Sequence, residues 1–174
     1  TAQRADMLSK AGDVCRAHLN DPERAFMLYS SAFSAAPFRI ELAEAAYALA
    51  GQVDGWEQVS MLLEEALPKV ADAPAATPLH RMLAEIKLSR FNDGEGAEVH
   101  FRGLMHADLP KDEMLGVLEA LTGIYRKGGR HERLADVLRR KALLVEEAAD
   151  RAPLLREMAR LQTTQLNDAA GAYE

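Results

Sequence analysis

LNDPERAFMLY, residues Leu19 to Tyr29, decides how this chain folds. Asp21 can cap the helix that follows it, and Pro22 suits a first helical position, where no backbone N–H is needed. Asn20 can take the left-handed conformation that ends many helices. Read locally, the stretch is a tight turn between two helices. The same phrase returns as FNDGEGAEVHF (Phe91 to Phe101) and as LNDAAGAYE (Leu166 to Glu174), each time Asn-Asp, three more residues, then Ala.

A second phrase alternates with the first. GWEQVSMLLEEAL (Gly55 to Leu67) matches GRHERLADVLRRKAL (Gly129 to Leu143) in its opening Gly and its Leu spacing. Asn20 and Asn92 are 72 residues apart, Asn92 and Asn167 75, and Gly55 and Gly129 74. The unit is half of that, about 37 residues, with odd and even copies slightly different, a period that belongs to two-helix solenoids. Strand signals are nearly absent, whereas apolar residues recur at helical spacing between short Pro, Gly and Asp turns. The pattern predicts ten helices: 3–18, 22–35, 38–51, 54–71, 77–90, 93–107, 111–127, 130–148, 151–165 and 168–174. Short connections make neighbouring helices antiparallel.

The repeat resembles the tetratricopeptide repeat (TPR) family. Small and apolar residues recur at the family's packing points: Leu8, Gly12, Ala25, Tyr29, Ala32 and Pro37 in the first copy, Leu42, Ala46, Val59, Leu63 and Ala66 in the second. The third has Leu83, Ala84, Ala97, Phe101 and Leu104, the fourth Leu118, Thr122, Tyr125, Leu134 and Leu138, and the fifth Leu155, Met158, Ala159 and Ala172. Lys87 stands where the family prefers Tyr, Lys141 replaces an Ala, and the period exceeds the family's by about three residues. The resemblance implies an all-α fold, a right-handed superhelical solenoid of antiparallel helix pairs. One domain, 1–174, would hold about four and a half repeats, near 3–37, 38–75, 76–110, 111–149 and 150–174, as a piece of a longer bacterial protein.

Bulk properties narrow the function. The chain has 174 residues, with 21 basic against 27 acidic side chains, a net charge of -6. That balance argues against non-specific nucleic-acid binding, which runs on a surplus of Lys and Arg. No apolar run approaches the roughly 20 residues of a membrane span. The single cysteine, Cys15, excludes an internal disulfide framework and falls at a small-residue packing position. The compartment is left open, with the cytoplasm slightly favoured over the periplasm.

No constellation points to catalysis. The five histidines, His18, His80, His100, His106 and His131, form no HExxH pair and read as surface or turn residues, so neither metal nor cofactor is expected. The Gly-rich stretches at Gly94–Gly96 and Gly128–Gly129 lack the preceding strand and following GK[ST] of a phosphate loop. The methionines sit at helical spacing among Leu and Ala and are expected in the core. Trp56, after a turn glycine, is expected to cover a repeat junction.

What remains is binding. In a TPR-like array the first helix of each repeat lines a concave groove. A register anchored on Gly12, Ala46, Ala84, Thr122 and Ala159 places Ile40 and Tyr47 there as an apolar anchor. It adds Arg81, Arg126, Lys127, Arg156 and Arg160 as cations, suited to an acidic, carboxylate-bearing segment of another protein. The expectation is a non-catalytic scaffold or adaptor. The alternatives are a structural spacer or self-association segment, or a regulatory repeat domain attached to an enzyme or transcription regulator. Asn20, Asn92 and Asn167 belong to turns, so the Lys/Asn carboxylate clamp of chaperone-binding TPRs is not expected.

Overall fold

In a computed structural model, residues 2–71 and 74–171 are described, with side chains through 163. The described residues are all-α: nine helices pack against their neighbours, and no strand occurs among them. They gather into two compact units, Thr1–Gly103 and Leu104–Glu174. The first unit holds α1 (Ala2–Ala17), α2 (Pro22–Ala35), α3 (Ile40–Ala50), α4 (Trp56–Ala66), α5 (Ala76–Glu85) and α6 (Gly94–Leu104). A 3-10 turn, Leu67–Lys69, follows α4, and a π-helical turn, Ile86–Arg90, extends α5. The second unit holds α7 (Lys111–Lys127), α8 (His131–Leu144) and α9 (Ala148–Gly171).

The turn chemistry read at Asn20-Asp21 is present. Asn20 is left-handed (φ 49°), and the Asp21 carboxylate accepts the Arg24 backbone N–H at 2.9 Å. Asn92 (φ 50°) and Asp93 repeat it between α5 and α6, with Gly96 N–H donating to Asp93 at 2.8 Å. In both turns the Asp backbone N–H reaches six residues back, to the Cys15 and Lys87 carbonyls. The even turns use another solution. Asp54 (φ 53°) and Gly129 (φ 64°) are left-handed, and the next N–H, Gly55 or Arg130, bonds the carbonyl five residues back. Among the described residues these four are the left-handed positions, at 20, 54, 92 and 129, spaced 34, 38 and 37 residues apart. The alternation of odd and even phrases is thus an alternation of two helix-ending motifs.

Glycines set two close helix approaches in the first unit. A β-carbon on Gly12 would lie 2.9 Å from Tyr29 Cε1, so α1 approaches α2 as only glycine allows. The Tyr29 hydroxyl donates to Asp13 at 2.6 Å, and burial together with that bond pushes its pKa up to about 12. Gly55 sits as closely on Phe26, seating α4 against α2. The first unit's core gathers Phe26, Tyr29, Phe33, Leu42, Leu63, Leu79, Leu83 and Ile86. In the second, Val117, Leu118, Leu121 and Tyr125 of α7 and Leu134, Val137 and Leu138 of α8 are buried. Burial of each large apolar side chain contributes about 1.5–3 kcal/mol.

Three expectations need correction. The third Asn-Asp phrase is no turn: α9 runs through Leu166, Asn167 and Asp168. The separate tenth helix is therefore not formed up to Gly171, and residues 172–174 lie outside the described residues. Ala159, one of the register anchors, is exposed, as is Leu155, whereas Gly12, Ala46, Ala84 and Thr122 are buried as expected. Met7, Met27 and Met61 are exposed, so of the methionines expected in the core only Met82 is buried among the described residues.

Candidate functional site

The first helices of the hairpins are α1, α3, α5, α7 and α9, and the residues proposed from sequence lie on them in two groups. In the first unit, Ile40 opens α3 half-buried, and Tyr47 stands two turns further along, also half-buried. The Tyr47 ring meets Trp56 edge-on, with centroids 5.3 Å apart and planes at 75°. Burial and a hydrogen bond to Glu85 of α5 raise the Tyr47 pKa well above its ordinary value. The Arg90 guanidinium lies 4.5 Å from the Trp56 ring centroid. Such aromatic pairs and ring-bound cations contribute about 0.5–1.5 kcal/mol each. Trp56 thus covers the junction of α3, α4 and the end of α5, as expected. Arg81 is exposed on α5, one turn before Glu85.

The π-helical turn explains how Arg90 and Lys87 come to face this junction. An extra residue in one turn rotates everything after it relative to a regular helix. Lys87, the residue at odds with the family pattern, then pairs with Glu64 of α4 at 2.6 Å. Its stem also passes the Phe91 ring, the ammonium lying 5.8 Å from the centroid.

In the second unit the cations sit on α7 and α9. Arg126, Lys127, Arg156 and Arg160 are all exposed. The Arg126 fork is taken by a carboxylate of this chain: Nη2 donates to both Glu157 oxygens at 2.9 and 3.1 Å, and Nε adds a bond at 3.2 Å. Arg156 Nε donates to the Ala152 carbonyl at 3.3 Å. Glu119 of α7 pairs with Lys141 of α8, and Lys111 pairs with Glu146. Between these helices opens a shallow cleft of about 590 Å³, walled by Leu115, Glu119, Lys141, Val145, Pro153 and Leu154.

One feature escaped the sequence. His80 on α5 and His100 on α6 meet at Nδ1···Nδ1 3.2 Å, with ring centroids 5.4 Å apart. His100 is 8% exposed, and Gly103 lies so close to the His80 ring that a β-carbon there would be 2.7 Å from Cε1. One imidazole must donate from Nδ1 and the other accept there. Burial, then the neighbouring His80, lowers the His100 pKa to about 4, and burial also lowers that of His80. Both are therefore held neutral near pH 7. No group of three His, Cys, Asp or Glu able to hold a metal ion occurs among the described residues. Cys15 is buried, as expected. Among the described residues no helix is long and apolar enough to cross a membrane.

Set against known protein families and curated proteins, the chain matches no family model and no curated protein.

Proposed function

We propose that this chain is a non-catalytic protein-interaction module: a TPR-like superhelical array whose first helices hold a peptide or protein segment along a concave face. The observation that supports it best is the recurrence of a left-handed turn residue at 20, 54, 92 and 129, each joining two packed helices. Stacked hairpins of that kind build long, shallow faces without a single deep pocket, and such faces suit extended partners. On the first unit's face, Ile40 and Tyr47 form the apolar anchor beside Arg81. On the second unit's face, Arg126, Lys127, Arg156 and Arg160 supply the cations for an acidic segment. A ligand carboxylate at Arg126 competes with Glu157, which sets a threshold that favours ligands with several acidic groups.

The test is a lysate pull-down with the chain beside an Arg81/Arg126/Arg156/Arg160→Glu form, both verified as helical by circular dichroism and read by mass spectrometry. A partner captured only by the unaltered chain supports the module and its cationic face. Identical captures remove it. A second reading, self-association, is favoured by the outer side of α1, where Met7 stands 65% exposed beside a shallow cleft lined with Gln3, Arg4 and Leu8. Sedimentation that shows a concentration-dependent dimer, abolished by Met7→Gln, would favour that reading.

A further inference from the structure

Met27 on α2, Met61 on α4 and Val99 on α6 occupy one register. Each lies six residues beyond the residue that precedes its helix: Asp21, Gly55 and Asp93. They are 59%, 62% and 64% exposed. In the second unit the same position is Asp136, which pairs with Arg139 at 3.3 Å. Three exposed apolar side chains in a row, confined to the first unit, are not explained by packing. Met61 stands on the middle helix of the three: Gly55 of α4 seats on Phe26 of α2, and Glu64 of α4 lies within electrostatic reach of His100 on α6.

The surroundings are acidic. On a helix the neighbours of a residue are those three and four positions before and after it. Around Met27, Met61 and Val99 those twelve positions hold Glu23, Glu57, Glu64, Glu65 and Glu95 against Arg24 and Arg102. Glu64 pairs with Lys87, and Glu23, Glu57 and Glu65 are exposed. The first unit as a whole carries 15 acidic and 10 basic side chains, a net of -5, which leaves -1 of the chain's -6 for the second.

Geometry narrows the occupant. Packed helices stand about 8–10 Å apart, and an α-helix advances about 10.5 Å in seven residues. A helix laid across α2, α4 and α6 therefore brings its residues i, i+7 and i+14 over Met27, Met61 and Val99 in turn. Methionine adapts to apolar partners of different shape, and the carboxylates on either side call for Lys or Arg beside the apolar stripe. We infer that the outer face of α2, α4 and α6 docks a basic amphipathic helix of a partner protein. This is a second surface, on the second helices of the hairpins, and it goes beyond the first-helix face proposed above. The carboxylates repel an anionic membrane surface, so a protein helix is the occupant.

The probe is a fluorescein-labelled peptide of about 21 residues, three heptads with Leu at a and d and Lys elsewhere, beside its counterpart with Glu in place of Lys. Anisotropy should show the Lys peptide bound with a Kd on the order of 10 μM and the Glu peptide unbound. A Met27→Gln/Met61→Gln/Val99→Gln chain, which keeps every charge, should bind at least about tenfold more weakly, a loss of about 1.4 kcal/mol. A Leu143→Gln chain, which removes an 80% exposed apolar side chain of the second unit, should bind as the unaltered one does, which ties the loss to this face. Equal binding by the triple variant would reduce the effect to charge alone and overturn the proposal. So would a failure of the Lys peptide to bind, or a dimer in sedimentation dispersed by the triple variant, since a second copy would then be the occupant.

Discussion

Acid should loosen the α5–α6 hairpin before it protonates the carboxylates. The cause is the His80–His100 contact, at 3.2 Å between Nδ1 atoms. Its surroundings are His80 of α5, Glu64 of α4, Lys87 of the π-helical turn and Asp93 just before α6. Burial and the neighbouring His80 and Lys87 oppose charge on His100, and outweigh the help of Glu64 and Asp93. The folded pKa therefore lies below the unfolded one, and the unfolded chain takes up the proton first. This contribution to stability is intact above pH 6.5 and is lost as pH falls from there toward about 4. The displacement, from 6.5 to about 4, is worth up to about 3 kcal/mol at 1.36 kcal/mol per unit. That is a large share of the roughly 5–15 kcal/mol that holds a typical domain together.

Urea unfolding at a series of pH values from about 7.5 to 4.5 measures it. Trp56 is the single tryptophan and stands in the first unit, so its fluorescence reports the unit that carries the pair. The unaltered chain should lose about 2–3 kcal/mol over that span. His100→Gln, which keeps a polar group beside His80 and removes the titration, should lose much less. An equal slope in the two proteins, or no slope in the unaltered one, would refute the reasoning.

Gly12→Ala should destabilise the first hairpin by about 1–2 kcal/mol in thermal unfolding, because the overpacking against the buried Tyr29 ring exceeds the helix propensity gained. Asn92→Val should cost about 1–2 kcal/mol at its left-handed φ of 50°, whereas Asn92→Gly should be close to neutral, and a comparison of urea midpoints distinguishes them. Glu157→Ala should change stability by less than about 1 kcal/mol, since its partner Arg126 is exposed. By freeing that guanidinium it should tighten the binding of an acidic peptide, measurable by calorimetry.

What sequence reasoning recovered is local. The Asn-Asp turn is punctuation whose chemistry lies within a few residues, so Asn20, Asp21, Asn92 and Asp93 could be placed without a fold. Burial of Ala46, Ala84 and Thr122 matches what the resemblance to the repeat family implied. The third copy failed because the residues around Asn167 lack a Pro or Gly directly after Asp168, and nothing there stops α9. The π-helical turn at Ile86–Arg90 is invisible to a 3.6-residue period, and it turns Lys87 and Arg90 toward Glu64 and Trp56. The His80–His100 pair depends on two helices meeting across a hairpin, a relation that spacing within one helix does not carry. For the same reason the Glu157 fork on Arg126 could not be read from α7 alone.

The proposed binding scaffold rests on a repeating helical hairpin, and the turns test that repeat most directly. Backbone NMR assignment, with chemical shifts and scalar couplings that report φ, should find helix on both sides of positions 20, 54, 92 and 129 and positive φ at each of the four. Helical shifts running unbroken through Asn92-Asp93, or extended shifts in any of the flanking segments, would contradict the repeat and with it the proposed binding face.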